Sequence, residues 1–549
     1  MSNEYDYIII GSGPAGIQLG YYFEDTNKNY IILEKSNKAG SFFSKYPRHR
    51  KLISINKVNV VSKSNDFKLR HDWNSLLSDY HNHSFLLKKF TTDYYPDANK
   101  FVKYLDSYCK HFNIKIKFNS TVTKISRINN NFIIFVNDTI YKTKNLIIGT
   151  GLSKENIPNI KGKEYITTYG NMSLNHNKYK NKNISILGIG NSGLETANHL
   201  LGDTNIIHMF TRGPDKKLSW STHYPGDLRS VNNAFIDSYL LKSQNVIEKG
   251  FNDNYKIKKI GNKLSINDEN NQSLLKKKYD YIISCAGFKF DDSIFHTSIK
   301  PKIYNNVPEL KCDFSSVNVP NLYFIGVLMQ HTDYKKSSGA FIHGFRYYIR
   351  SLFRILEYEN HDKLWPSKKL NNLDQLKNFI FERINNSSGM YQNFGYLCDV
   401  IKINSNSFTY YYELPIKYIS KFKEINNQDY ITIILNYGGN LKHNFFKNII
   451  TVDTKESHNS KFLHPIITYY NNHKKTEILH ILEDVNTEWY DFNKHKLPLI
   501  QFLNRNINTT HTDKNNYIET FSYLDNRKTN KIYILILLVL LVIYLITNS

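Results

Sequence analysis

The apolar positions of this chain fall into short unbroken runs, and each run stops at glycine or at a charged residue. Tyr7-Ile8-Ile9-Ile10 has the length of a buried strand and breaks into Gly11-Ser12-Gly13-Pro14-Ala15-Gly16. A helical period then starts at Ile17, Leu19 and Gly20. A second run, Tyr30-Ile31-Ile32-Leu33, ends in Glu34-Lys35. The pattern recurs later: Ile184-Ser185-Ile186-Leu187 breaks into Gly188-Ile189-Gly190-Asn191-Ser192-Gly193, a helix follows with Leu194, Ala197 and Leu200, and the run over residues 206–210 ends in Thr211-Arg212. Between the two repeats, Pro96-Asp97 opens a helix with Phe101, Val102, Leu105 and Tyr108 on one face. Residues 114–125 alternate as one strand with Thr121 and Val122 at its middle. Runs at 132–136 and 146–148 follow, the latter closing on Gly149-Thr150-Gly151. Residues 279–284 close on Cys285-Ala286-Gly287, residues 321–325 close on Gly326, and a further helix opens near Gly339-Ala340-Phe341.

This succession predicts an α/β fold with two Rossmann-like dinucleotide-binding domains, one inserted in the other. Residues 1–155 and 284–362 make the first domain and residues 156–283 the second. Trp365-Pro366 marks the next boundary. Residues 363–526, with a helical pattern at 373–384 and strand-like runs at 430–435 and 462–470, predict an α+β accessory domain. Residues 532–546 are unbroken Ile, Leu, Val and Tyr, so 531–547 reads as a transmembrane helix about 24 Å long against a ~30 Å hydrocarbon core. Lys531 is placed to snorkel, and Arg527, Lys528 and Lys531 on one side predict a cytosolic body held by a C-terminal tail. The N-terminus enters the first strand with no expected signal peptide.

The glycines specify the chemistry. In G-x-G-x-x-G the first permits the turn, the second admits a pyrophosphate, and the third lets the helix sit close on the strand, with the helix N-terminus facing the phosphates. The first repeat reads as an FAD site held by Gly11, Gly13, Pro14, Ala15 and Gly16, with Glu34 and Lys35 at the ribose end. Arg48 (or Arg50) is a candidate for the FAD phosphates, and Val122, Gly151, Gly326 and Gly339 for the rest of that cofactor. The second reads as a pyridine-nucleotide site held by Gly188, Gly190, Asn191, Ser192 and Gly193. There Arg212 suits a 2′-phosphate, which favours NADPH over NADH. Lys335, Lys336 and His343, around the last helix N-terminus, are candidates for tuning a flavin; solvated lysines and a packed histidine are the alternative. No other catalytic residue stands out.

The formal charge of +24 raises nucleic acid as a partner, but the basic residues are scattered among Asn, Ile and Tyr, and no nucleic-acid-binding motif occurs; none is expected. Cys109, Cys285, Cys312 and Cys398 form no C-x-x-C, which argues against an internal redox dithiol and offers no metal site.

The two glycine motifs with arginine after the second resemble the two-dinucleotide flavoproteins, the plan shared by flavin-containing monooxygenases and thioredoxin reductases. Residues 40–43, 46–57, 69–76, 218–224, 226–229 and 333–347, and more weakly 388–392 and 462–465, are similar to a branch of endoplasmic-reticulum flavoproteins linked to ER-associated degradation. The resemblance implies FAD, a pyridine-nucleotide domain and a link to ER quality-control proteins, with the ER as the membrane. It is weakened by the absence of a leader and a retention tail. The monooxygenase fingerprint F-x-G-x-x-x-H-x-x-x-(F/W) is also missing: Ile166 and Gly170 stand where histidine and an aromatic belong. The expected reaction is hydride transfer from NADPH to FAD and on to a small-molecule or protein acceptor. Oxygenation of a small nucleophile, or a flavin-bearing adaptor without turnover, are the alternatives.

Overall fold

In the computed structural model the described residues are 3–507 except 63, 213–246, 268–276, 335, 438–453, 461 and 485. Lys335, the 218–229 stretch and the apolar tail at 531–547 lie outside them. No helix among the described residues is long and apolar enough to cross a membrane. The chain divides into two compact units, Met1–Tyr490 and Asp491–Ser549; the described part of the second carries a π-helical turn, Phe492–Lys496, that runs into an α-helix, Leu497–Asn506.

The first unit begins with β1 (Glu4–Ile10), α1 (Pro14–Asp25) and β2 (Tyr30–Leu33). Then come α2 (Ala98–His111), β3 (Ile116–Lys117), β4 (Val122–Ile128), β5 (Asn131–Val136) and β6 (Thr139–Ile148). The Asp97 carboxylate accepts the N–H groups of Asn99 and Lys100 and so fixes the start of α2. The sheet runs β3-β2-β1-β6-β5-β4. Tyr7 to Ile10 are buried because β1 has parallel neighbours on both sides, with Tyr7 and Ile9 in a core shared with α1 and α2 and Ile8 and Ile10 in one shared with β4, β5, Phe290 and Phe295. The single strand expected over 114–125 is two strands. At Asn119 and Ser120 the backbone N–H groups turn onto the carbonyls of Ser36 and Glu34, and the chain leaves its parallel neighbour β2 for its antiparallel neighbour β5.

The inserted domain holds β7 (Thr167–Thr168), β8 (Asn183–Leu187), α3 (Asn191–Leu200), β9 (Ile206–Thr211), β10 (Ile247–Lys249) and β11 (Tyr281–Ser284). Its sheet is parallel throughout, in the order β10-β9-β8-β11-β7. The chain enters and leaves it through Lys154–Glu155 and Phe288–Lys289, which pair as a two-strand ribbon. β12 (Leu322–Phe324) then returns to pair with β6.

From α4 (Ile342–His361) the chain runs to β13 (Ser367–Leu370), α5 (Leu373–Asn386), β14 (Leu397–Ile403), β15 (Phe408–Pro415), β16 (Tyr430–Tyr437), β17 (Leu463–Asn471) and β18 (Lys474–His480). These strands form an antiparallel sheet in the order β13-β15-β14-β16-β17-β18. The α+β character is as expected, but the region is not a separate body. Trp365, at the expected boundary, is only 2% exposed, and it shares one core with Tyr7, Leu352, Tyr418 and Phe422.

Buried arginines rivet this joint. Arg346, fully buried, donates to the carbonyls of Leu69 (2.7 Å), Asp72 (3.0 Å) and Ser75 (2.7 Å). Arg70 donates to those of Ile384 and Ser387. Arg350 bonds Glu413 and, at 3.1 Å, Asp79, while Arg354 lies 3.8 Å from Glu413. Arg383 pairs with Asp399 at 2.7 Å and approaches Glu413 at 3.6 Å. Burial alone would raise the Glu413 carboxyl; Arg350, Arg383 and Arg354 outweigh it and hold it at about 2.

Replacing Glu413 by Ala leaves three arginines buried without their shared carboxylate. We expect a loss of about 3–5 kcal/mol, read as a lowered urea midpoint of the intact chain; an unchanged midpoint contradicts the rivet. Because the native carboxyl sits low, its contribution is complete above the ordinary glutamate value of about 4.3 and fades as pH falls toward 2.

Candidate functional site

The first cradle is built by β1, the turn after it, and α1. Gly11 takes φ +104°, and its N–H donates to the Leu33 carbonyl at 2.9 Å. A Cβ on Gly16 would sit 2.0 Å from the Gly11 carbonyl oxygen, so only glycine lets α1 start so close to the turn. Gly13 caps α1 without a side-chain hydrogen bond and has open space where its Cβ would be; Pro14 and Ala15 form the first turn. That leaves backbone N–H groups and the positive end of the helix dipole directed at the same opening. At its edge, the Glu34 carboxylate accepts Ser12 N–H (2.8 Å), Ser12 Oγ (2.9 Å) and Ser36 N–H (2.9 Å), which offsets its burial. Lys35 beside it is exposed. Val122 opens β4 two residues after Ser120, whose N–H donates to the Glu34 carbonyl at 2.8 Å. Gly151 and Gly326, both at positive φ, end β6 and follow β12; a Cβ on Gly326 would press on Ala15 at 2.7 Å.

The second cradle repeats the glycine geometry of the first. Gly188 takes φ +115° and donates to the Phe210 carbonyl at 2.8 Å. A Cβ on Gly193 would lie 2.2 Å from the Gly188 oxygen, and Gly190 caps α3 facing open space. Asn191 and Ser192 form the first turn. The register makes Thr211 the counterpart of Glu34, and Arg212 that of Lys35. The Arg212 guanidinium is exposed, 3.1 Å from Asp253, a surface pair that holds it loosely. A cavity opens at the carboxyl ends of β7 and β11, lined by Thr168, Tyr169, Ser192, Ser284, Cys285 and Phe288 together with Glu155. The gap between β8 and β11 is where open parallel sheets take their ligands.

Several expected positions lie elsewhere. Arg48 is turned onto the inserted domain rather than toward a phosphate of the first: its Nη2 donates to the Met172 carbonyl and its backbone N–H to the Tyr169 hydroxyl, both at 2.9 Å. Arg50 donates to the carbonyls of Phe43 and Pro47. His343 is buried in a ring stack, 4.6 Å from Trp73 and 5.5 Å from Phe341, so it packs and does not face an open site. Lys336 is exposed on a turn. Gly339 serves that turn, its N–H donating to the Asp333 carboxylate at 2.9 Å where a Cβ would collide. All four cysteines are free, and Cys109, Cys285 and Cys398 are buried. Burial pushes the Cys109 and Cys285 thiols up to about 12. None is part of a dithiol. The sequence also gave no prominence to Ser12, which aims Glu34, or to Tyr169, whose hydroxyl meets the Ser192 side chain; the polar residue between the first two glycines was the available signal for Ser12.

The residues of both cradles fit a dinucleotide. Replacing Gly16 by Ala is expected to give colourless protein with no 450 nm absorbance after FAD reconstitution. Gly193→Ala should stay yellow yet lose pyridine-nucleotide binding in titration calorimetry. Yellow Gly16→Ala protein would reverse the assignment of the cradles.

Comparison with known proteins agrees with this geometry. Residues 8–326 match the family model described as pyridine nucleotide-disulphide oxidoreductase. The chain is 32% identical to FAD-dependent oxidoreductase domain-containing protein 2 of Mus musculus and 31% identical to that of Danio rerio, each over 92% of this chain and 84% of the relative. A variant of a flavin monooxygenase from Stenotrophomonas maltophilia shares the fold over 65% of this chain and 99% of its own, at 16% identity and a TM-score of 0.50. The two matching cradles and these likenesses place the chain in the pyridine nucleotide-disulphide oxidoreductase family, as an FAD-dependent oxidoreductase.

Proposed function

We propose that the protein takes hydride from NADPH onto FAD and passes the electrons to an external small-molecule or protein acceptor. The observation that carries this reading is the pairing of two cradles of one geometry with different ribose ends. FAD, when bound, supplies the two-electron chemistry. Gly11, Gly13 and Gly16 set the start of α1 against its pyrophosphate, and Glu34, held by Ser12, accepts its ribose hydroxyls. Gly188, Gly190 and Gly193 do the same for the second dinucleotide. With Thr211 in the place of a carboxylate and Arg212 free to leave an exposed partner, that ribose end suits a 2′-phosphate. Four unpaired cysteines, three of them buried, support an acceptor outside the chain.

Monooxygenation is the weaker reading. Ile166 and Gly170 stand where its fingerprint wants histidine and an aromatic, and a Cβ at 170 would have to displace the Tyr46 hydroxyl 2.4 Å away. The tail at 531–547 supports a C-terminal anchor with the body in the cytosol, and the resemblance noted above supports the ER membrane and its quality-control proteins as the setting.

Anaerobic mixing with NADPH should bleach the 450 nm band; retained colour with FAD bound would favour an adaptor. Arg212→Ala removes a charged hydrogen-bond donor worth roughly 1.5–3 kcal/mol, so NADPH should bind about 10- to 100-fold more weakly while NADH is little changed. Equal losses would overturn the NADPH assignment. Deleting residues 531–549 should move the protein from the membrane pellet to the supernatant, and persistence in the pellet would refute the anchor.

A further inference from the structure

Besides the ribbon of Lys154–Glu155 with Phe288–Lys289, the FAD domain meets the inserted domain through residues 46–50. Tyr46 stacks on Tyr169 at 5.7 Å and 18°. Arg48 reaches Tyr169 and Met172, as described. His49 reaches α3 itself: its Nε2 lies 3.2 Å from Thr196 Oγ1, and its ring is 4.4 Å from that of His199. The His199 ring is 4.0 Å from His176, whose Nδ1 lies 2.5 Å from Asp203. Three imidazoles from three segments thus make a column across the joint between the two cradles.

His49 and His199 sit as neutral rings require. Nδ1 of His49 and Nε2 of His199 are both buried with no hydrogen-bond partner. An imidazolium would bury a donor there with nothing to accept it, as well as a charge. The groups facing His49 are His199 on α3, His176 on the segment before β8, and Arg48 on its own segment; His199 faces His176 and Asp203. Burial, then His199, Arg48 and His176, hold His49 down to about 3. Burial and His176 lower His199, with a hydrogen bond to the Leu174 backbone carbonyl and Asp203 opposing.

We propose that this column is an acid-released clasp: neutral, it positions the inserted domain on the FAD domain, and protonation of His49 and His199 opens the joint. In the open joint both rings return toward the ordinary imidazole value near 6.5. Closure is therefore complete above that pH and weakens below it, with one proton taken up at His49 and up to one at His199 on opening. Two protons give a closed-to-open ratio that falls by up to about 100-fold per pH unit below about pH 6. The clasp stands whether or not hydride passes between the cradles.

Hydrogen exchange of the full chain tests it, read by mass spectrometry on fragments containing the Arg48 amide and corrected for intrinsic exchange, between about pH 8 and about pH 5. Protection of that fragment should fall below about pH 6.5 while fragments of β1, β6 and β14 stay protected. His49→Gln, an amide that still reaches Thr196 but does not titrate, should reduce the dependence from two protons to about one. A flat profile for the unmodified chain, or a His49→Gln profile that superimposes on it, overturns the clasp. If His49→Gln exposes the core strands, His199→Gln probes the column from its other side, with the same expected one-proton dependence and the same overturning result.

Discussion

A helix can deliver its free N–H groups to a phosphate only if its first turn is pressed against the strand that feeds it. Here that contact is the Cα of Gly16 against the carbonyl oxygen of Gly11, with Gly193 on Gly188 as its repeat. Any side chain at either place would push the helix off its strand. The dipole and the N–H groups would then no longer meet at one point. Glu34, Gly151 and Gly326 are arranged around that point, and they have no binding role without it.

The repeat is close enough that its differences become informative. Ser12 occupies the second place of the first motif and anchors Glu34 by its backbone N–H and its hydroxyl; Ile189 occupies that place in the second and has no hydroxyl to give. A carboxylate at position 211 would therefore lack the side-chain support that makes Glu34 tolerable in a buried setting. The choice of ribose end is thus written twice in each motif, once at the ligand-facing residue and once at the residue that holds it. Changing cofactor preference in such a fold is a two-position problem.

The glycine turns, the parallel strands of the first two sheets, the insertion and most later elements were legible because a strict order of apolar run, glycine and helix admits few structures. Helix α5 and strands β16 and β17 also appear close to their expected limits, where long periodic patterns carried them. The break between β3 and β4 was not legible, since alternation persists while the partner strand changes. Arg48, His343 and Gly339 were misplaced for a related reason. Their types fit a cofactor site, but the neighbours of Arg48 and His343 come from far along the chain (Met172 and Trp73), and Gly339 is taken up by a local turn onto Asp333. The 69–76 stretch had no readable role because it is a set of carbonyl acceptors for Arg346, and backbone acceptors leave no trace in composition.

The two attachments to the FAD domain differ in kind. The C-terminal sheet is fixed by arginines that satisfy buried carbonyls and carboxylates, and moving it would strand several charges in the interior at once. The inserted domain is held by a two-strand ribbon, ring stacking and imidazoles that carry no charge in place. Separating those surfaces exposes groups that water solvates well. An oxidoreductase of this plan must bring two cofactors together and still admit and release one of them. Among the described residues the joint without a buried ion pair is the one whose opening strands no charge, whereas opening the C-terminal joint would strand several.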